Sequence, residues 1–246
     1  MHLETWQWAL ACLGAYLIGL SKTGIAGIGI LAVTIFSNVV PARESVGLVL
    51  IVLICADVVA VTAFRRHAVW SHLWLLFPWT GLGVGLGYFA MGKVDDLQVR
   101  KMIGTILAIL VLVQFRQFFS KKQQKKGQHG LLYVALMGLA AGFTTMVANA
   151  AGPIMILYLL AAGLPKMEFV GTGAWYFLLM NCFKVPFSWS LGLINPASLQ
   201  VDLVLAPFAV AGALSGRALL PFINQRLFES MALSMTLLAA LKLVVG

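Results

Sequence analysis

The chain is short of charge. Asp, Glu, Lys and Arg make up 10% of its 246 residues, where a soluble domain carries about a quarter. It is shorter still of acid, with eight Asp and Glu against seventeen Lys and Arg. The three cysteines, Cys12, Cys55 and Cys182, lie in apolar runs with no CxxC spacing. That excludes a disulfide framework and leaves them as small packing residues. The four histidines, His2, His67, His72 and His129, fall in loops or at segment ends, which argues against a haem or metal centre inside a membrane. No HExxH, GxSxG or Walker A pattern occurs, so neither an enzyme nor an ATP-driven pump is expected, and no cofactor is implied. The N-terminus lacks a basic n-region and a small-residue cleavage site, so no signal peptide is expected.

Apolar surface is what the chain has in excess. Hydrophobic residues make up 61% of it and the mean hydropathy is +0.95. This is the composition of an all-α polytopic membrane protein. Its apolar segments cover 6–40, 45–64, 70–91, 97–115, 131–161, 168–188, 199–220 and 227–245. A crossing takes about 20 apolar residues, so these segments leave no room for a soluble catalytic domain. The net charge of +9 therefore reads as Lys and Arg retained in cytoplasmic loops, not as a nucleic-acid surface. The run from Lys121 to Lys126 reads as a solvated loop near anionic headgroups. Trp6 and Trp8 read as interfacial anchors.

The chain repeats itself. Pro41, Glu44, Val46 and Gly47 match Pro165, Glu168, Val170 and Gly171 at an offset of 124, and Asp57 matches Asn181 at the same offset. Pro78, Gly83 and Gly87 match Pro207, Gly212 and Gly216 at 129. The opening Gly19–Gly29 matches Gly142–Gly152 at 123. Matches in one order indicate an internal duplication. The expected organisation is a first four-segment repeat over 1–117, a basic cytoplasmic linker over 118–129 and a second repeat over 130–246. Glu44 and Glu168, each three residues after a proline, read as first-turn acids complementing the helix dipole. Gly81, Gly83, Gly85 and Gly87, with Gly212 and Gly216, read as faces for close helix contact.

The first and fifth segments are long and interrupted by glycine. Four glycines between 19 and 29, with Lys22 among them, make poor helix interior. Unwound backbone in lipid is tolerated only where protein or a water-filled cavity satisfies it. Eight continuous crossings distribute the loop cations evenly. Re-entrant hairpins in segments one and five instead put Arg65, Arg66, Arg116, the lysine run, Lys166, Arg217 and Arg226 on one side. Arg43, Lys93, Arg100, Lys101 and Lys242 fall on the other. The hairpin arrangement obeys the positive-inside rule and leaves three crossings per repeat, so the repeats become inverted. Both arrangements remain open at this point, with charge favouring the hairpins. Inverted repeats with broken helices are the build of secondary transporters, with the site at the repeat interface.

Candidate site residues gather at those breaks. Lys22, flanked by Ser21 and Thr23 and followed by Gly24, offers an ammonium, two hydroxyls and the start of a half-helix to an anion. Pairing with Asp57, or reaching to an interface, is the competing reading of Lys22. Thr144, Thr145 and Asn149 offer uncharged hydrogen bonds, and a second half-helix is expected to restart at Pro153. Capping of nearby backbone is the plainer reading of these three. Asp57 is the one acid well inside an apolar run and the candidate carrier of a coupling proton. Lys184, three residues after Asn181, shares its helical face, so Lys22 and Lys184 supply one cation per repeat. Trp175 and Tyr176 read as packing residues. No metal site is expected. The expected ligands are a small anion and a coupling proton or sodium ion, within a lipid bilayer and without nucleic acid. A homo-oligomer is compatible with this reading.

The doubled pattern is similar to that of the sulfite exporter TauE/SafE family of bacterial membrane permeases. It consists of a glycine-rich broken segment, Pro-x-x-Glu-x-Val-Gly, then a proline and spaced glycines. The resemblance implies transport of sulfite, sulfonates or related organic anions across the bacterial inner membrane, driven by an ion gradient rather than ATP. The chain departs from the usual glycine clusters. Ser21-Lys22-Thr23 precedes the first, and Asn149-Ala150-Ala151-Gly152-Pro153 replaces the second. A passive anion channel and a membrane-embedded assembly subunit are the alternatives.

Overall fold

A computed structural model describes residues 4–25, 27–40, 42–91, 93 and 130–245. The segment expected over 97–115 and the lysine run lie outside the described residues. Every regular element among those described is helical. In chain order they are α1 (Thr5–Thr23), α2 (Gly29–Val39), α3 (Ala42–Phe64) and α4 (Trp70–Met91). After the gap come α5 (Leu131–Ala148), α6 (Ala151–Ala161), α7 (Lys166–Ser190), α8 (Pro196–Leu219) and α9 (Gln225–Val245). Four helical stretches, Glu44–His67, Trp70–Met91, Leu131–Ala148 and Pro196–Phe222, are long and apolar enough to cross a membrane. The chain is a multi-pass membrane protein.

Local chemistry ends and restarts the two opening helices. In the first, Gly24 still donates to the Leu20 carbonyl. Gly27 then takes φ +94°, a conformation that glycine reaches without steric cost. In the second, Asn149 takes φ 52° and donates its N–H to the Thr145 carbonyl, a left-handed cap that Asn tolerates. The second half-helix begins at Ala151, two residues before the expected Pro153, and the proline sits in its first turn, where a missing N–H costs nothing.

Both short helices fold back along the helix before them. Gly29 packs on Ser21, Gly14 packs on Ile35 and Phe36, and Gln7 donates to the Val39 carbonyl. In the second half, Tyr158 stacks on Tyr133. Each opening is thus a helical hairpin.

Glycines fix the tightest seams. A Cβ on Gly19 would collide with the Ala209 carbonyl, and one on Gly212 with the Tyr16 carbonyl. Their repeat mates do the same elsewhere, Gly142 against the Thr80 carbonyl and Gly83 against the Leu139 carbonyl. So α1 lies against α8 as α5 lies against α4, and in both pairs the helices run parallel. Backbone this close allows Cα–H contacts with facing carbonyls. Gly87 and Gly216 join these seams, but Gly81 and Gly85 have nothing within 4 Å. The expected four-glycine face on α4 is therefore a two-glycine face, because 81 and 85 lie on the opposite side of the helix from 83 and 87.

Helices α3 and α7 cross the middle antiparallel. Gly47 meets Leu193 at one end, and Gly171 meets Phe64 and His67 at the other. Apolar clusters flank the crossing. One joins α1, α2, α3 and α8 around Phe36, Leu48 and Leu205. The other joins α4 to α7 around Leu73, Ile154 and Tyr176.

Candidate functional site

The antiparallel crossing brings Asp57 of α3 against Asn181 of α7. Asn181 Nδ2 donates to Asp57 Oδ2 at 2.7 Å. The other carboxylate oxygen, Oδ1, faces Lys22 Nζ at 2.8 Å. Lys22 arrives from the last turn of α1, just before the glycine break. Its ammonium also sits 3.9 Å from the centre of the Phe177 ring, a favourable cation–π position. Phe177, Asn181 and Lys184 are spaced along one face of α7.

Lys184 is wholly buried. It donates to the Thr145 carbonyl at 2.8 Å, to Thr145 Oγ1 at 3.0 Å and to Asn149 Oδ1 at 2.6 Å. These three acceptors match the three donors of an ammonium. Asn149 in turn donates to the Val46 carbonyl of α3 at 2.9 Å. The end of α5, the middle of α7, both breaks and α3 are thus tied into one polar cluster in an apolar surround.

The cluster gathers six expected residues: Lys22, Asp57, Thr145, Asn149, Asn181 and Lys184. Four others point elsewhere. Ser21 Oγ donates to the Ile18 carbonyl, and Thr144 Oγ1 to the Ala140 carbonyl, both local backbone bonds. Thr23 Oγ1 donates to the Ala213 carbonyl of α8 at 2.6 Å. Gly24 packs its backbone on Gly216. These hydroxyls are spent on carbonyls in this conformation. Tyr176 is buried and in hydrogen-bond range of Thr80, as a packing residue.

The members of the cluster are not equally committed. Asp57 is buried and both its oxygens are engaged. Lys184 has used every donor. Lys22 keeps 9% side-chain exposure and has one hydrogen-bonded partner among the described residues, so it is the member with donors to offer. A buried charge is tolerated only when paired, and Lys22 and Asp57 meet that condition together. Both weighed roles of Lys22 therefore converge, since the ion pair places an incompletely satisfied ammonium at the break.

Two residues of consequence escape the sequence pattern. Phe177 was signalled only by its spacing from Asn181 and Lys184. Asp202, which the loop-charge argument sets on the outer side, is 2% exposed within α8. Asp57 is therefore not the one acid inside the helical body. Asp202 lies close to its segment's start, where hydropathy alone cannot tell a helix turn from a loop.

The family model described as Sulfite exporter TauE/SafE matches residues 11–243. No curated protein and no solved structure matches the chain. The match spans nearly the whole sequence, and the chain belongs to the TauE/SafE family of membrane-embedded sulfite and anion exporters.

Proposed function

We propose that this TauE/SafE member is a secondary transporter of a small anion, namely sulfite, an organosulfonate or a similar organic anion, across the bacterial inner membrane. The observation that carries the reading is the buried cluster where the two hairpin tips meet α3 and α7. It holds two lysines and one carboxylate, Lys22, Lys184 and Asp57. With both lysines charged, one positive charge is left for one bound anion to balance. Lys22, with free donors beside a helix break, is the residue that contacts the anion, and Thr145, Asn149 and Asn181 complete the polar shell.

In this reading Asp57 stands in for the anion while the site is empty. An entering sulfite or sulfonate oxygen takes over Lys22, and Asp57 is left needing a cation. A proton supplies it most simply, without new ligands. Binding of the anion and of the coupling ion then assist one another through Lys22. Such coupling is reciprocal, as linkage requires.

The proposed frame is a pair of inverted repeats, 1–117 and 130–246, joined by a cytoplasmic linker over 118–129. The antiparallel run of α3 and α7 supports it, as do the two equivalent glycine seams. Direct contact of Asp57 with Asn181 supports it further, because equivalent residues touch only beside a two-fold axis. Among described residues, Arg65, Arg66, Lys166, Arg217 and Arg226 lie at one end of the helical body, while Arg43 and Lys93 lie at the other. The positive-inside rule makes the Arg65 end cytoplasmic and the two openings re-entrant.

The test is a thermal-unfolding screen of the purified protein against sulfite, sulfate, thiosulfate, sulfoacetate, taurine and simple carboxylates. A ligand of the folded form raises the unfolding temperature with concentration. We expect one or more sulfur oxyanions or sulfonates to do so. No shift with any anion at saturating concentration would contradict the reading.

A further inference from the structure

Asp202 is a buried acid that the proposed site does not use. It is 2% exposed, and neither carboxyl oxygen has a hydrogen-bond partner. It lies on the stripe of α8 that continues through Leu205, Ala209 and Gly212, the face that packs on α1 and α3. The side chains gathered at that face are Val201, Leu205, Leu48, Val49 and Val52. Its helical neighbour Ser198 is spent on Asn195.

The charged and titratable groups of the packed elements do not reach it. On α1, Lys22 is held by Asp57 and Glu4 is at the exposed helix start. On α3, Cys55 lies within electrostatic range but is no cation, Asp57 is paired, and Glu44 is exposed in the first turn. On α8 itself, Arg217 is in the last turn, about four turns away. An ionised carboxylate without a partner in such a place is very costly. A metal cation would need a shell of oxygen ligands, and aliphatic side chains offer none. A proton needs no ligand but the carboxyl itself.

We propose that Asp202 is a second proton-binding site, separate from the Lys22–Asp57 pair. It holds its proton while α8 is packed on α1 and α3, and exchanges it with water at the Glu4 end when that seam parts. The exchange rests on the transporter reading, whereas the bound proton does not. Protonation of Asp202 would thereby report which side of the protein is open.

Infrared difference spectroscopy of the purified protein at neutral pH tests both parts without transport. The C=O stretch of a protonated carboxylic acid should be present in the wild type and lost in Asp202→Asn. It should remain in Asp57→Asn and be retained, displaced, in Asp202→Glu. On transfer to D2O the band should shift to lower frequency. A wild type without the band, or a band that Asp202→Asn leaves in place, overturns the proton site. A band that never shifts in D2O overturns the exchange and makes Asp202 a locked structural acid. Should Asp202→Asn fail to fold, the displaced band in Asp202→Glu decides, and its absence counts against the site. Anion binding in the unfolding screen can fail while this band is present, so the two readings are judged apart.

Discussion

At the scale of single residues the argument turns on one ion pair that is strong only while intact. Breaking a buried pair by removing one partner costs about 3–5 kcal/mol, whereas replacing both members by neutral groups is often near neutral. Asp57→Ala should therefore lower unfolding stability by about that amount, since Lys22 is left buried and unpaired. The double change Lys22→Met with Asp57→Ala should recover most of the loss. A double-mutant cycle from denaturant unfolding reads the coupling directly; additive losses would show that the two side chains do not depend on each other. Lys184→Met should also destabilise, by about 2–3 kcal/mol, because it strands the Thr145 and Asn149 acceptors. Melting curves that leave Lys184→Met within about 0.5 kcal/mol of wild type would show that those hydrogen bonds carry no weight.

Elements are placed by glycine. Gly19 and Gly142, repeat mates, each let a helix approach a facing carbonyl where a Cβ has no room. Gly19→Ala and Gly142→Ala should each cost about 1–3 kcal/mol through overpacking against backbone. Gly81→Ala and Gly85→Ala, with open space at the Cβ, should be neutral or stabilising by about 0.5–1 kcal/mol. Thermal unfolding in detergent separates the pairs, and equal effects at all four would contradict the seam assignment. Periodicity and offsets made much of this legible, since the two broken openings, the first-turn acids and the matched glycines all stand in the sequence. Which glycines face a neighbour was not legible, because alternating positions 81, 83, 85 and 87 look alike until a partner helix chooses one side. The cluster was half legible for the same reason. Lys22, Asp57, Asn181 and Lys184 announce themselves as polar residues in apolar runs. Ser21, Thr23 and Thr144 do so equally, yet each satisfies its hydroxyl on a carbonyl, a choice made by local backbone geometry. Asp202 was hidden by position, a few residues into a helix whose cap, Asn195 with Ser198, looks like a loop.

For the whole molecule, the question is which ends face which side. The hairpin arrangement puts Arg43 and Ser190 at one end of the body and Arg65 and Arg217 at the other. Single cysteines at Arg43 and Ser190, in a background free of the native three, should label with an impermeant thiol reagent from outside intact cells. Cysteines at Arg65 and Arg217 should label only after the membrane is opened. Eight uninterrupted crossings would instead put 43 and 190 on opposite sides, so labelling of one without the other would exclude the re-entrant reading. The same inverted arrangement gives alternating access a plain physical form. The two glycine seams are equivalent, so one can part while the other holds, and the polar cluster between them changes the side it faces.

The central claim is that Lys22 holds the anion, and sulfite flux into vesicles reconstituted with the protein tests it most directly. With Lys22→Ala, flux should fall to that of empty vesicles while the variant inserts and elutes as a folded protein. A folded Lys22→Ala protein that carries sulfite at the wild-type rate would contradict the account.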